Sequence, residues 1–163
     1  GIFDLSSHEK ASGKDLSYFD PQNNEKIIPT VIEPAGGLTR TLFALLCSCY
    51  DEDEVNDTTR TLFRFDFNIA PIQIGILPLS KKDGLIEFSN NIKNILQESY
   101  RTEIDVTQSI GKRYRRQDEI GTPYCITVDF DSLGDNTVTI RNRDSMDQER
   151  VAITDLLGFF SDI

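Results

Sequence analysis

The chain has 163 residues, with 17 lysines and arginines against 27 aspartates and glutamates, giving a formal net charge of −10. That length holds one full domain, or a small domain plus a piece of another, and it can bury a core without disulfide or metal staples. Apolar and charged fractions of 38% and 27% fit a soluble globular protein, and no window approaches the ~18 consecutive apolar residues of a membrane span.

In chain order, residues 1–30 are polar and turn-rich. They show neither a basic nor an apolar leader, so no secretory signal is expected. The missing initiator Met suggests a piece of a longer protein. Asp20-Pro21-Gln22-Asn23-Asn24 has the chemistry of a turn. Thr30-Val31-Ile32-Glu33 predicts a short strand closed by Pro34. Gly36-Gly37 then lead into a helix over 38–50, with Leu38, Leu42, Leu45, Leu46 and Cys49 on one face. The acidic stretch 51–60 is expected to end that helix as a linker, placing a domain boundary at residue 60.

The second part, 61–163, alternates strand and helix. Ile69 to Leu79 is nearly continuous in apolar residues, as a strand buried on both faces would be. Lys81-Lys82-Asp83-Gly84 is a turn, and 85–99 is a helix with Phe88, Ile92, Ile95 and Leu96 as its stripe. A strand follows at Thr102–Val106, a basic helix at 110–120, and a strand at Pro123–Phe130. The turn Gly134-Asp135-Asn136 leads to Thr137–Arg141, forming a hairpin. Residues 149–163 hold a last strand or helix, docked by Leu156, Leu157, Phe159 and Phe160. The expectation is α/β: a mixed five-stranded sheet flanked by helices.

Cys47, Cys49 and Cys125 lack the four-ligand, CxxC-like spacing of zinc sites, and the only histidine is His8, so no metal site is expected. The acidic net charge argues against nucleic acid, but Lys112-Arg113-Tyr114-Arg115-Arg116 is a basic knot, and a local basic face suffices for RNA.

Three stretches together resemble a known family. Phe3-Asp4-Leu5-Ser6-Ser7-His8 and Val31-Ile32-Glu33-Pro34-Ala35-Gly36-Gly37-Leu38-Thr39-Arg40 are similar to the approach to, and the body of, the third class II motif of glycyl-tRNA synthetases. Ser109-Ile110-Gly111-Lys112-Arg113-Tyr114-Arg115-Arg116-Gln117-Asp118-Glu119-Ile120-Gly121-Thr122-Pro123, with Val138–Met146, resembles the signature of their anticodon-binding domain. The resemblance covers nearly the whole chain.

It implies that residues 1–60 are the end of an antiparallel-sheet catalytic domain, contributing its last strand and helix, and that 61–163 are the anticodon-binding domain. Arg40 would be the catalytic arginine that clamps the nucleotide phosphates, with Gly37, Leu38 and Thr39 beside it in the ATP site. Glu33, Pro34, Ala35, Gly36 and Gly37 would hold glycine. Ala35 stands where the family usually carries a serine, and Thr39 where an acidic residue or glycine is common. Lys112, Arg113, Arg115, Arg116, Asp118, Glu119, Arg141 and Arg143 would contact tRNA. The implied function is glycine–tRNA ligase in the cytoplasm, a homodimer acting on glycine, ATP with Mg and glycine tRNA. The first two class II motifs are absent, so this piece alone is expected to be inactive. The alternative is a non-catalytic synthetase-like accessory or RNA-binding module. A doubly wound nucleotide-binding protein is set aside for want of a glycine-rich loop.

Overall fold

A computed structural model describes residues 2–55 and 57–163. The chain forms two compact units, Gly1–Thr41 and Leu42–Ile163.

In the first unit, helix α1 (Phe3–Ser12) ends at Gly13, whose φ of 67° closes it in the left-handed conformation. Strands β1 (Tyr18–Asp20) and β2 (Glu25–Ile27) pair antiparallel around the turn expected at 20–24. The Asp20 carboxylate accepts from the Gln22 amide at 2.9 Å and from Asn23 Nδ2 at 2.7 Å. The strand expected at Thr30–Glu33 does not form: residues 28–37 have no regular structure. Pro29 and Pro34 bracket it without N–H donors, and no described strand pairs with it. Helix α2 (Leu38–Cys49) starts where expected and runs on into the second unit, which begins at Leu42, but its apolar stripe is not a buried one. Leu38 and Leu42 are exposed, and Leu45, Leu46 and Cys49 are half-buried.

The second unit opens with a correction. Residues 51–60 are not a linker; they belong to a hairpin of β3 (Tyr50–Val55) and β4 (Thr58–Phe63). Four adjacent acids look like solvated loop, but Asp51 and Asp53 turn to the half-buried side, where Arg64 and Arg60 neutralise them. Glu52 and Glu54 alternate into solvent.

Five strands then make the expected mixed sheet, ordered β6-β5-β7-β8-β9. They are β5 (Ile74–Pro78), β6 (Thr102–Ile104), β7 (Tyr124–Val128), β8 (Thr137–Asn142) and β9 (Gln148–Ala152). Helices α3 (Asp83–Leu96) and α4 (Ile110–Ile120) are the crossovers of the three parallel strands β5, β6 and β7, while β8 and β9 run antiparallel. Every residue of β5 is buried, as its unbroken apolar run implies. The short helix α5 (Ser132–Asp135) occupies the β7–β8 corner, and α6 (Leu156–Ser161) ends the chain.

The core joins Ile74, Ile76, Ile126, Val138 and Ile140 of the sheet to Leu85, Ile92 and Leu96 of α3 and to Leu156 and Phe160 of α6. The buried face of α3 is Leu85, Ser89, Ile92 and Leu96, so Ile95 lies outside it. Ser89 fits there because its hydroxyl donates to the Leu85 carbonyl at 2.8 Å. Leu157 likewise stays exposed, while Phe67, Tyr100, Tyr124 and Phe160 stack around one another at centroid distances of 5.7–6.2 Å.

Candidate nucleic-acid interface

Helix α4 carries the basic knot, and its ends are set by sequence. Ser109 precedes it in extended backbone, and Gly121 closes it with φ +83°. A Cβ at Gly121 would lie 2.3 Å from Phe65 Cδ2, so no other residue fits there without a shift. Gly75 of β5 plays the matching role in the sheet: its missing Cβ leaves room for the Gln117 amide, which would otherwise be 3.0 Å away. The Gln117 Oε1 accepts from the Thr122 hydroxyl at 2.6 Å. The helix is thereby seated closely on β5 and against the β3–β4 hairpin.

The arginines of the knot divide by what they touch. Arg113 is buried and donates to main-chain carbonyls, to Pro78 at 2.5 Å, Asp105 at 3.3 Å and Gln108 at 3.1 Å. Arg116 pairs with the Asp105 carboxylate, Nε at 2.9 Å, and donates to the Thr107 carbonyl at 3.0 Å. Burial would raise Asp105, but the Thr107 amide and Arg116 outweigh it and hold the carboxyl below its usual range.

Asp118 is buried, and Arg141 of β8 meets it with two hydrogen bonds, at 3.0 and 3.1 Å. The Arg141 guanidinium also lies over the Tyr114 ring, 4.6 Å from its centroid. The Tyr114 hydroxyl bonds the Thr127 hydroxyl, and burial raises its pKa. Arg60 of the hairpin donates to Asp118 at 3.4 Å, to Asp53 at 2.7 Å and to the Arg143 carbonyl at 2.8 Å. Arg143 is buried too, held by Asp144 at 2.8 and 3.0 Å and by the Gly121 carbonyl at 2.8 Å.

Arg113, Asp118, Arg141 and Arg143 are therefore spent within the protein. Lys112 and Glu119 are exposed, and Arg116 keeps 37% of its side chain accessible. Arg115 differs from every other arginine of the knot. Among the described residues its Nη1 is buried with no hydrogen-bond partner, and it lines a cavity of about 200 Å³. Around Arg115, the cavity is walled by Tyr114, Gly111 and Asp118 of α4, by Arg141, Met146 and Gln148 of β8, β9 and their turn, and by Val55 and Arg60 of the hairpin. Met146 holds φ +60°, a conformation costing a non-glycine residue about 1–2 kcal/mol. A guanidinium beside Val55, Met146 and the Tyr114 ring suits a planar group with acceptor atoms on its edge. A nucleobase is such a group.

Val55 and Arg60 were not visible as site residues in the sequence. No local pattern marks Arg60 as a buried cation inside a β-rich run, and two of its partners, Asp118 and the Arg143 carbonyl, lie far off in the chain.

In the first unit, residues 30–40 are all exposed. Glu33 lines a cavity of about 100 Å³ with Asp4, Leu5, His8 and Val31. Arg40 is exposed and takes no ion pair among the described residues. A Cβ on Gly36 would meet nothing within 4 Å, and one on Gly37 only the Arg40 side chain at 3.6 Å, so this backbone is open to approach. Pro34, Ala35, Leu38 and Thr39 flank it in the same exposed stretch.

Residues 73–163 match the family of the anticodon binding domain. The chain belongs to this family. Over nearly its whole length it is also similar to glycine–tRNA ligases. It is 52% identical to that of Treponema denticola across 96% of this chain and 36% of the relative. With that of Ruminiclostridium cellulolyticum the identity is 55%, across 97% and 34%. The chain thus spans about a third of the length of these curated relatives. In fold it is similar to a prolyl-tRNA synthetase from Cryptosporidium parvum, with a TM-score of 0.57 at 20% identity over 63% of this chain and 22% of that one. The RNA binding domain of a threonyl-tRNA synthetase from the same organism gives 0.56 at 24% identity, over 61% and 25%. The mixed five-stranded α/β sheet is thus the fold of synthetase anticodon-binding domains.

Proposed function

We propose that this chain is part of a glycine–tRNA ligase, with the second unit binding the anticodon arm of glycine tRNA. The observation that carries this reading is Arg115, which keeps a buried Nη1 with no hydrogen-bond partner among the described residues and lines a cavity of about 200 Å³. Single-stranded RNA is read by splaying bases onto apolar and cationic surfaces and bonding their edges. Arg115 supplies edge donors, and Lys112 with the open face of Arg116 supplies phosphate charge. Arg113, Asp118, Arg141 and Arg143 hold that surface from beneath, and Glu119 at its rim can accept from a base amino group. The net charge of −10 does not oppose this, because Asp105 and Asp118, the carboxylates beneath the knot, are paired with arginines.

In the first unit, the reading gives Arg40 the α-phosphate of ATP, brought as its Mg complex. An exposed, unpaired guanidinium beside open glycine backbone suits a phosphate. Gly37, Leu38 and Thr39 would border the nucleotide. Glu33, with Pro34, Ala35 and Gly36, would receive the glycine ammonium. Attraction alone rejects one extra methylene by only ~1–3 kcal/mol, so a small pocket must exclude larger amino acids. A cytoplasmic homodimer completes the proposal. No described helix is long and apolar enough to cross a membrane.

The test is fluorescence anisotropy of this chain at fixed salt with glycine tRNA, and with the same tRNA changed at its middle anticodon base. Tighter binding of the unaltered tRNA is the expected result. Equal binding, or none, would favour the second reading, an accessory module of the same fold, which the unpaired Arg40 and Arg115 speak against.

A further inference from the structure

We infer that the β3–β4 hairpin is a specificity element of the RNA-reading surface: Val55 is a wall of the cavity that receives a nucleobase at Arg115, and Arg60 is the positioning residue that fixes that wall. This rests on the RNA-binding reading above and goes beyond it, because Tyr50–Phe63 lies outside the segment 73–163 that matches the family.

A two-stranded hairpin is marginal by itself, so its position has to come from elsewhere. Arg60 provides the attachment. Its guanidinium is buried, an expensive placement unless fully paired. Its partners come from three places: Asp53 on the facing strand, Asp118 on α4, and the Arg143 carbonyl just beyond β8. Arg64 adds a second tie, donating to Asp51 at 2.6 Å and to Asp144 at 2.7 Å. Phe63 and Phe65 fill the space left by the absent Cβ of Gly121.

What this attachment holds in place is Val55. It lines the cavity together with Met146 and Arg115. Val55 neither donates nor accepts through its side chain. It can cover one side of a planar ring while the Arg115 donors meet acceptor atoms on the ring's edge. The class of ligand is a single unstacked base presenting a carbonyl or ring-nitrogen acceptor edge. Arg115 reads that edge, and Val55 sets how much room the ring has.

The experiment compares this chain with Val55→Phe and Arg60→Met variants, using anisotropy of labelled anticodon stem-loops from glycine tRNA and from versions changed at one anticodon base. The readout is the ratio of the two affinities, measured well below the thermal midpoint, which a merely structural role would leave alone. Val55→Phe is expected to weaken the unaltered stem-loop about tenfold and bring the ratio towards one, at an unchanged midpoint. Arg60→Met is expected to lower the ratio as well. If Arg60→Met does not fold, Val55→Phe decides alone. A ratio kept by each folded variant overturns the inference while leaving the RNA-binding reading standing. No preference by the unaltered chain overturns both.

Discussion

Asp118 and Arg141 meet through two parallel hydrogen bonds, Nη1 to Oδ1 at 3.0 Å and Nη2 to Oδ2 at 3.1 Å, with the carboxylate only 1% exposed. This pair joins α4 to the antiparallel part of the sheet, and Arg60 adds the hairpin to the same carboxylate at 3.4 Å. Removing one partner of such a group leaves charge buried and uncompensated. Asp118→Asn is expected to cost about 3 kcal/mol or more, read as a lower urea midpoint. A variant as stable as the parent would mean that the two guanidiniums find other acceptors.

Gly121 makes a second test of the same region. An alanine there must take φ +83° and place its Cβ 2.3 Å from Phe65. The left-handed conformation costs about 1–2 kcal/mol, and the overlap a similar amount again. Gly121→Ala should therefore lower stability by about 3 kcal/mol. Pairing it with Phe65→Leu should recover part of the loss, whereas Gly111→Ala, which meets nothing within 4 Å, should be harmless.

Acid sensitivity follows from Asp129. The Arg150 guanidinium, bonding it at 2.6 and 3.1 Å, lowers its pKa from 3.8 to about 2. A depressed folded pKa gives stability that is present above the unfolded value and lost as pH falls through the folded one. The contribution is thus full above about pH 4 and gone near pH 2. Since both side chains are partly exposed, it is worth no more than about 1 kcal/mol. Asp129→Asn should lose it at neutral pH and show a shallower fall in stability on acidification.

The thiols should react in order of exposure. Cys47 is exposed, Cys49 is half-buried, and Cys125 is buried with its pKa pushed up to about 12, chiefly by that burial. Timed alkylation followed by mass spectrometry should label Cys47 first and Cys125 only under unfolding conditions. Early labelling of Cys125 would mean that β7 opens in the native state.

For RNA, Lys112 and Arg115 should separate cleanly. Lys112→Ala removes one phosphate contact, so affinity should fall for every sequence and the salt slope should shrink by about 0.7. Arg115→Ala should lower affinity by about ten- to a hundredfold, but only for stem-loops carrying the matching base. Identical behaviour of the two variants would place the base elsewhere.

Much of this architecture was legible from local pattern. The basic helix α4 falls where expected, β5 occupies the second half of the apolar run expected at 69–79, and the corner before β8 holds the short helix α5. The hairpin was not legible, because Asp51, Asp53 and their neighbours repel one another when considered alone. What makes them a strand is Arg60 opposite Asp53 and Leu62 opposite Asp51, a matter of pairing rather than of local sequence. The same holds for the basic knot. Its arginines look alike in the sequence; whether each is spent or free depends on where Asp105, Asp118 and Pro78 fold, and Arg115 alone of the knot's arginines keeps a buried Nη1 with no partner among the described residues.

Phe67 packs against Tyr100, Tyr124 and Phe160, and with Arg60, Leu62, Phe65 and Ala70 it lies upstream of residue 73. The segment that matches the anticodon binding domain is therefore shorter than the body that folds. A protein cut at the edge of the recognisable stretch would expose part of its aromatic cluster and strip a cation from Asp118. The compact body begins at Leu42, so a piece meant to fold by itself has to carry the hairpin along with the sheet.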